Sequence, residues 1–155
     1  MLVAKNRYAA AAVTNNFHKT YQAILLGAPP QPQGRVDAPI RREQPEQMRR
    51  IVAPDGQRAV TNYRVLAQAE GLSLVDFVLE TGRTHQIRVQ FASRRHPLWG
   101  DGKYGSRIKG DIALQSARLR FIHPDTGKVM DFRLPVPGTW PAWGIRQEND
   151  NGTTV

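Results

Sequence analysis

The sequence predicts an α+β domain, mostly antiparallel sheet with flanking helices. Three observations predict it. Segments with the two-residue alternation of strands come in adjacent pairs, 59–66 with 72–79 and 119–123 with 128–134. Each pair is joined by a turn signal, Gly71 in the first and Pro124-Asp125-Thr126-Gly127 in the second. Helical periods are too few to supply the crossovers that parallel strands require.

Taken in order, the chain opens on Leu2-Val3-Ala4, which is apolar and β-like but has no hairpin partner before it. Asn6 then caps an expected helix through the alanine-rich run from Tyr8 to Val13. The stretch from His18 to Leu26 reads as a strand with Thr20, Gln22, Ile24 and Leu26 on one side and Tyr21, Ala23 and Leu25 on the other. Gly27 and the prolines at 29, 30 and 32 end it. Residues 31–57 are polar and rich in Pro, Gly and Arg, which predicts short strands and turns, with Pro54-Asp55-Gly56 as one turn. After the 59–66 and 72–79 pair, Gly82 marks a corner, and a helix is expected to about Ser93 or Arg94, capped by Thr84, with Ile87 and Phe91 on one face. Residues 108–116 fit strand or short helix equally. After the 119–134 hairpin, Trp140 and Trp143 are expected to fold back onto the core. Residues 1–145 form the expected domain and 146–155 a polar tail expected to fray.

At 155 residues the chain is long enough to bury a core without metal or disulfide. There is no cysteine, which excludes a disulfide framework and a thiol nucleophile. No apolar window reaches the length of a membrane span, and the N-terminus lacks the order of a secretion signal, so a cytoplasmic protein with no membrane partner is the expectation. The formal net charge is +9, carried mostly by the central region and not by a terminal tail. A folded body with that charge suits RNA, DNA or another anionic surface. A merely soluble basic protein is the competing reading.

Chemistry is densest from Glu80 to Gln90. Arg83 sits at the corner, where its five donors can face a ligand. From Arg83 to Lys109 there are seven basic side chains (Arg83, Arg88, Arg94, Arg95, Lys103, Arg107 and Lys109) against one carboxylate, Asp101. That imbalance favours a surface facing a polyanion. Arg41, Arg42, Arg49 and Arg50 add a second basic group, either a solvated surface or a wall closing over nucleic acid. The expected RNA-binding set is therefore Arg41, Arg42, Arg49, Arg50, His85, Arg88, Arg94, Arg95, Lys103 and Arg107. The plainer alternative makes Arg83, His85, Gln86 and Arg88 the wet side of an ordinary amphipathic helix.

The run Leu79-Glu80-Thr81-Gly82-Arg83-Thr84-His85-Gln86-Ile87-Arg88-Val89 closely resembles the signature of the RluA-type RNA pseudouridine synthases. Three further stretches agree in order: Lys19-Thr20-Tyr21 followed by Gly27, Gly100-Asp101-x-x-Tyr104-Gly105, and Leu114-Gln115-Ser116-Ala117 continuing to Pro124. The resemblance covers about Leu2 to Pro137. It implies isomerisation of uridine in rRNA or tRNA, in which the N1–C1′ bond breaks, the base turns and C5 bonds to C1′, without cofactor or metal. It implies catalytic roles for Arg83, which would pair with an aspartate, and for Tyr21, which would pack on the target base. The family's aspartate lies in an Arg-Leu-Asp-x-x-Thr-Ser-Gly run just before Leu-Leu-x-Ala-Lys. Here Leu2-Val3-Ala4-Lys5 matches the tail of that pattern, so the aspartate falls upstream of Met1. Asp76, on the strand leading to Arg83, is the one internal substitute considered. Gln115 also departs from the family's usual histidine.

Two functions follow from the resemblance. One is a synthase completed by a missing upstream segment or partner chain. The alternative is a catalytically inactive RNA-binding remnant. An unpaired edge at Leu2-Val3-Ala4 would further invite self-association. A third reading, an unrelated basic structural protein, requires four ordered matches to be accidental.

Overall fold

The computed structural model describes residues 3–7, 10 and 16–141. One six-stranded sheet organises them, in the order β2-β5-β6-β1-β7-β8, with β1 His18–Leu26, β2 Gln33–Asp37, β5 Val60–Ala69, β6 Leu72–Leu79, β7 Leu114–Ile122 and β8 Val129–Arg133. Every neighbouring pair is antiparallel. A separate two-stranded ribbon joins β3 Ile40–Arg42 to β4 Arg50–Val52. A helix, α1 Gln86–Ser93, packs on the sheet and is followed by a 3-10 turn at Gly102–Tyr104. The α+β, mostly antiparallel expectation is thus met, and both hairpins form where the turn signals placed them.

Register explains which side chains meet. Tyr63, Phe77 and Tyr21 are paired across β5, β6 and β1 and so share one face. On that face the Phe91 ring of α1 stands edge-on to Phe77 at 4.9 Å and to Tyr63 at 5.6 Å. Such pairs contribute roughly 0.5–1.5 kcal/mol each beyond area burial. Ala23, Leu25, Val36, Val75, Ile87 and Leu98 complete this core. The opposite face is covered at one end, where Trp99, Val136 and Trp140 pack on Ile24, Leu74 and Ala113. The predicted sidedness of β1 holds, with Ala23 and Leu25 on the helix side and Ile24 on the other.

Two close approaches explain their glycines. A Cβ at Gly56 would lie 2.6 Å from the backbone of Ile40, so the Pro54-Asp55-Gly56 turn packs directly on β3. Gly27 has φ 75° and would place a Cβ 2.9 Å from the His96 ring.

Several expectations need correction. Val3 and Ala4 belong to no strand, and Val3 is exposed; the sheet's outer strands are β2 and β8, and neither pairs with them. β5 runs past Leu66 to Ala69, because a bulge between Val65 and Ala67 resets its alternation. Residues 108–113 are irregular, and the strand begins at Leu114. The helix expected at 8–13, Trp143 and the 146–155 tail fall largely or wholly outside the described residues.

The helix termini also differ from expectation. Thr84 does not cap α1. His85 occupies that position with φ 57°, and no side chain caps from it. The C-terminal end closes through Arg95 at φ 69°, with Arg95 N–H donating to the Ala92 carbonyl at 3.0 Å and His96 N–H to the Phe91 carbonyl at 2.8 Å. This double closure stops the helix before Pro97.

Candidate functional site

The corner between β6 and α1 is held by buried amides. Gln86 Oε1 accepts from the Thr81 hydroxyl at 2.8 Å and from Arg83 N–H at 3.0 Å. Its Nε2 donates to the Val60 carbonyl at 3.0 Å and to Thr61 Oγ1 at 2.8 Å. Thr61 donates onward to Gln90 Oε1 at 2.6 Å, and Gln90 Nε2 donates to the carbonyls of Ala38 and Ala59. Gln86, Gln90 and Thr61 are all buried, so Gln86 is not on a wet helix face. A network this well satisfied in a low-dielectric interior fixes one geometry for the corner.

Arg83 emerges half-buried from that corner. Its Nε donates to the Arg58 carbonyl at 2.8 Å, and among the described residues no carboxylate lies within ion-pair distance of its guanidinium. Tyr21 is half-buried against the main core, with Lys19 Nζ 4.9 Å from its ring centroid. Its register partner Phe77 lies near the end of β6 that leads into the corner, so Tyr21 and Arg83 belong to the same end of the sheet. No hydrogen bond joins the two side chains.

Asp76 does not substitute for the expected aspartate. Its register partners are Gln22 and Arg64, one position out of phase with Phe77, which puts it on the face away from α1. Arg64 Nη2 is 3.9 Å from it, and its Oδ1 is buried without a hydrogen-bond partner. Burial pushes the carboxyl above the ordinary aspartate range, with Gln22, Arg64 and Arg118 drawing it part of the way back.

Beyond the corner, Tyr104 is a hub. Tyr104 is buried, and its phenol oxygen accepts from Arg50 N–H at 3.1 Å and lies 2.7 Å from His85 Nδ1. The guanidiniums of Arg88 and Arg49 lie 5.0 and 5.8 Å from its ring centroid. Arg88 also forms a two-pronged pair with Asp101, Nε to Oδ2 at 2.8 Å and Nη2 to Oδ1 at 2.9 Å. Asp101 is fully buried, and its hydrogen bond raises the Arg88 pKa further above its ordinary value. Burial, with Arg88 and Lys103 next in weight, lowers the His85 pKa.

The structure gives several of the residues expected to face RNA partners within the protein. Arg88 is committed to Asp101. Arg41 pairs with Asp55 at 2.9 Å, Arg49 with Glu43 at 2.9 Å, and Arg42 donates to the Pro45 carbonyl, so the β3–β4 ribbon is cross-braced rather than an open basic wall. Arg50 is half-buried, and its Nε is buried with no hydrogen-bond partner among the described residues. Arg94, Arg95, Lys103 and Arg107 are exposed as expected. With Arg88 and Asp101 withdrawn together, the 83–109 stretch keeps six basic side chains and no exposed carboxylate.

Sequence reasoning missed the structural roles of Gln86, Gln90, Thr61 and Tyr104. The i, i+4 spacing of Gln86 and Gln90, each directly preceding a core residue, was the available signal. Among the described residues no helix is long and apolar enough to cross a membrane.

Comparison with known proteins agrees with this architecture. A family model described as RNA pseudouridylate synthase matches residues 1–93. The uncharacterized RNA pseudouridine synthase YjbO of Bacillus subtilis is 44% identical over 144 residues, covering 88% of this chain and 51% of that protein. The ribosomal large subunit pseudouridine synthase D of Zymomonas mobilis is 38% identical, covering 88% of this chain and 49% of that protein. The chain thus spans about half the length of the curated relatives it matches. The solved structure of human RNA pseudouridylate synthase domain containing 1 shares the fold, with a TM-score of 0.70 at 24% identity over 86% of this chain and 62% of that one. More than half of the sequence fits one family model, and the chain belongs to the RNA pseudouridylate synthase family.

Proposed function

We propose that this chain is an RNA-binding portion of a pseudouridine synthase of the RluA type, holding the uridine-handling part of the site but not performing the isomerisation alone. Arg83 and Tyr21 are its catalytic residues in the complete enzyme. The reaction requires an aspartate from outside these 155 residues, on an upstream segment or a partner chain. The substrate is a uridine in rRNA or tRNA.

The observation that carries this reading is the state of Arg83. Its backbone and Nε are anchored by Gln86 and Arg58, yet no described carboxylate faces its remaining donors. Each described aspartate is otherwise placed. Asp55, Asp101 and Asp131 pair with Arg41, Arg88 and Arg118, and Asp37 lies beside Arg35. Asp76 faces the opposite side, while Asp111 and Asp125 are exposed in loops. A guanidinium held in that way would keep an incoming aspartate ionised, as a nucleophile or charge partner needs. The phenol of Tyr21 would pack on a base taken out of its stack.

Two assays test the reading. Incubated with RNA carrying tritium at uridine C5, the purified chain releases none; release at an enzyme-like rate overturns the proposal. RNA binds at micromolar affinity or weaker. Four to six phosphate contacts from the exposed basic residues would give a log–log salt slope of roughly −3 to −5. A flat response to salt would remove the basic face as the binding surface.

A further inference from the structure

Around Tyr104 the hydrogen-bond roles can be assigned, and they leave one donor unspent. The phenol carries a single hydrogen. Its oxygen already accepts from Arg50 N–H, and the only other polar partner among the described residues is His85 Nδ1. If Nδ1 were the donor, the phenol hydrogen of a buried Tyr104 would have no acceptor. The phenol therefore donates to Nδ1, and the neutral imidazole carries its proton on Nε2. No described group accepts from Nε2. His85 is half-buried at the N-terminal end of α1, with an unusual backbone at φ 57°.

We propose that Tyr104 is a positioning residue that locks His85 in its Nε2–H form, and that His85 acts on RNA as a neutral hydrogen-bond donor to a backbone oxygen. The role of His85 rests on the RNA-binding reading above; the tautomer does not. The surroundings keep the ring uncharged. Burial lowers its pKa, and Arg88, Lys103 and Arg50, facing it from α1, the 3-10 turn and β4, lower it further, with Asp101 as the one opposing carboxylate. A cation here would repel three neighbours, whereas a neutral donor adds a directed contact that the surrounding guanidiniums do not supply.

The test separates tautomer from binding. Long-range proton–nitrogen spectra of the imidazole at pH 7 show the Nε2–H form for His85, and Tyr104→Phe converts it to a mixture. A wild-type Nδ1–H form overturns the proposal. His85→Asn keeps a side chain comfortable at positive φ and a polar group at the Nδ1 position, but lacks the Nε2 donor. It folds normally and binds RNA about five- to tenfold more weakly. His85→Gln restores a donor at the ε position and recovers most of that affinity. The salt slope is the same in all three proteins, because a neutral contact releases no counterion. Unchanged affinity in His85→Asn, or a salt slope reduced by about one, overturns the neutral-donor role. Absence of RNA binding by the wild type removes that role and the binding reading together, while the tautomer is still decided by the spectra.

Discussion

Removing Arg88 should damage the fold before it affects RNA binding. Arg88 is 16% exposed at its side chain, and Asp101 beneath it is fully buried, so Arg88→Met strands a carboxylate in the interior. The methionine keeps most of the stem packing against Tyr104 but neither charge-assisted hydrogen bond. Breaking one side of a buried pair costs about 3–5 kcal/mol. Against a total stability on the order of 5–15 kcal/mol, that is roughly a fifth or more of what holds the domain together. For a chain of this size the melting temperature should fall by about 6–20 °C. The double variant Arg88→Met/Asp101→Leu removes both charges and should recover most of the loss, since an apolar replacement of a buried pair is often neutral. Thermal unfolding of the wild type, both single variants and the double variant forms the required cycle. If Arg88→Met melts within about 2 °C of wild type and instead lowers the RNA salt slope by about one, Arg88 is a phosphate contact and the structural account fails.

Two other perturbations separate fold from site. Gly82 has no positive φ, and a Cβ there would meet nothing within 4 Å, so Gly82→Ala should fold with stability unchanged or raised by about 0.4–1 kcal/mol. If the bareness of that corner serves RNA, the same variant binds several-fold more weakly; equal affinity would show that ligand does not approach Gly82. Asp76→Asn should melt at or above the wild-type temperature at pH 7. The folded pKa of Asp76 is raised, so the native state binds more protons than the unfolded one between the two pKa values, and this group's penalty is relieved as pH falls through the folded value toward 3.8. The advantage of the variant should shrink over that window, and a clear drop in melting temperature at pH 7 would contradict it.

The sheet was legible because its hairpins announce themselves locally. Gly71 and the Pro124–Gly127 turn sit between alternating segments, and sequence neighbours became spatial neighbours. The joining of β1 to β6 and β7 was not legible in the same way, since long-range pairing leaves no local mark. Thr84 has the right residue type for a cap, yet the tertiary contacts of Gln86 fix the entry to α1 one residue later. Charge counting found the basic surface but could not tell Arg94, which is exposed, from Arg88, which is consumed by Asp101. A residue's charge is written in the sequence, whereas the partner that neutralises it depends on where distant segments meet. Strand alternation places Asp76 and Phe77 on opposite faces, yet Asp76 still stood as a substitute in the sequence, because alternation alone does not say which face the corner belongs to.

The chain of amides from Thr81 through Gln86 and Thr61 to Gln90 has a consequence for recognition. Both glutamine amides spend both of their hydrogens inside the protein, so under the proposed function an arriving RNA would have no loose loop to organise at this point. The guanidinium of Arg83 is preorganised at its base, and little ordering entropy would be left to lose if a nucleotide docked beside it.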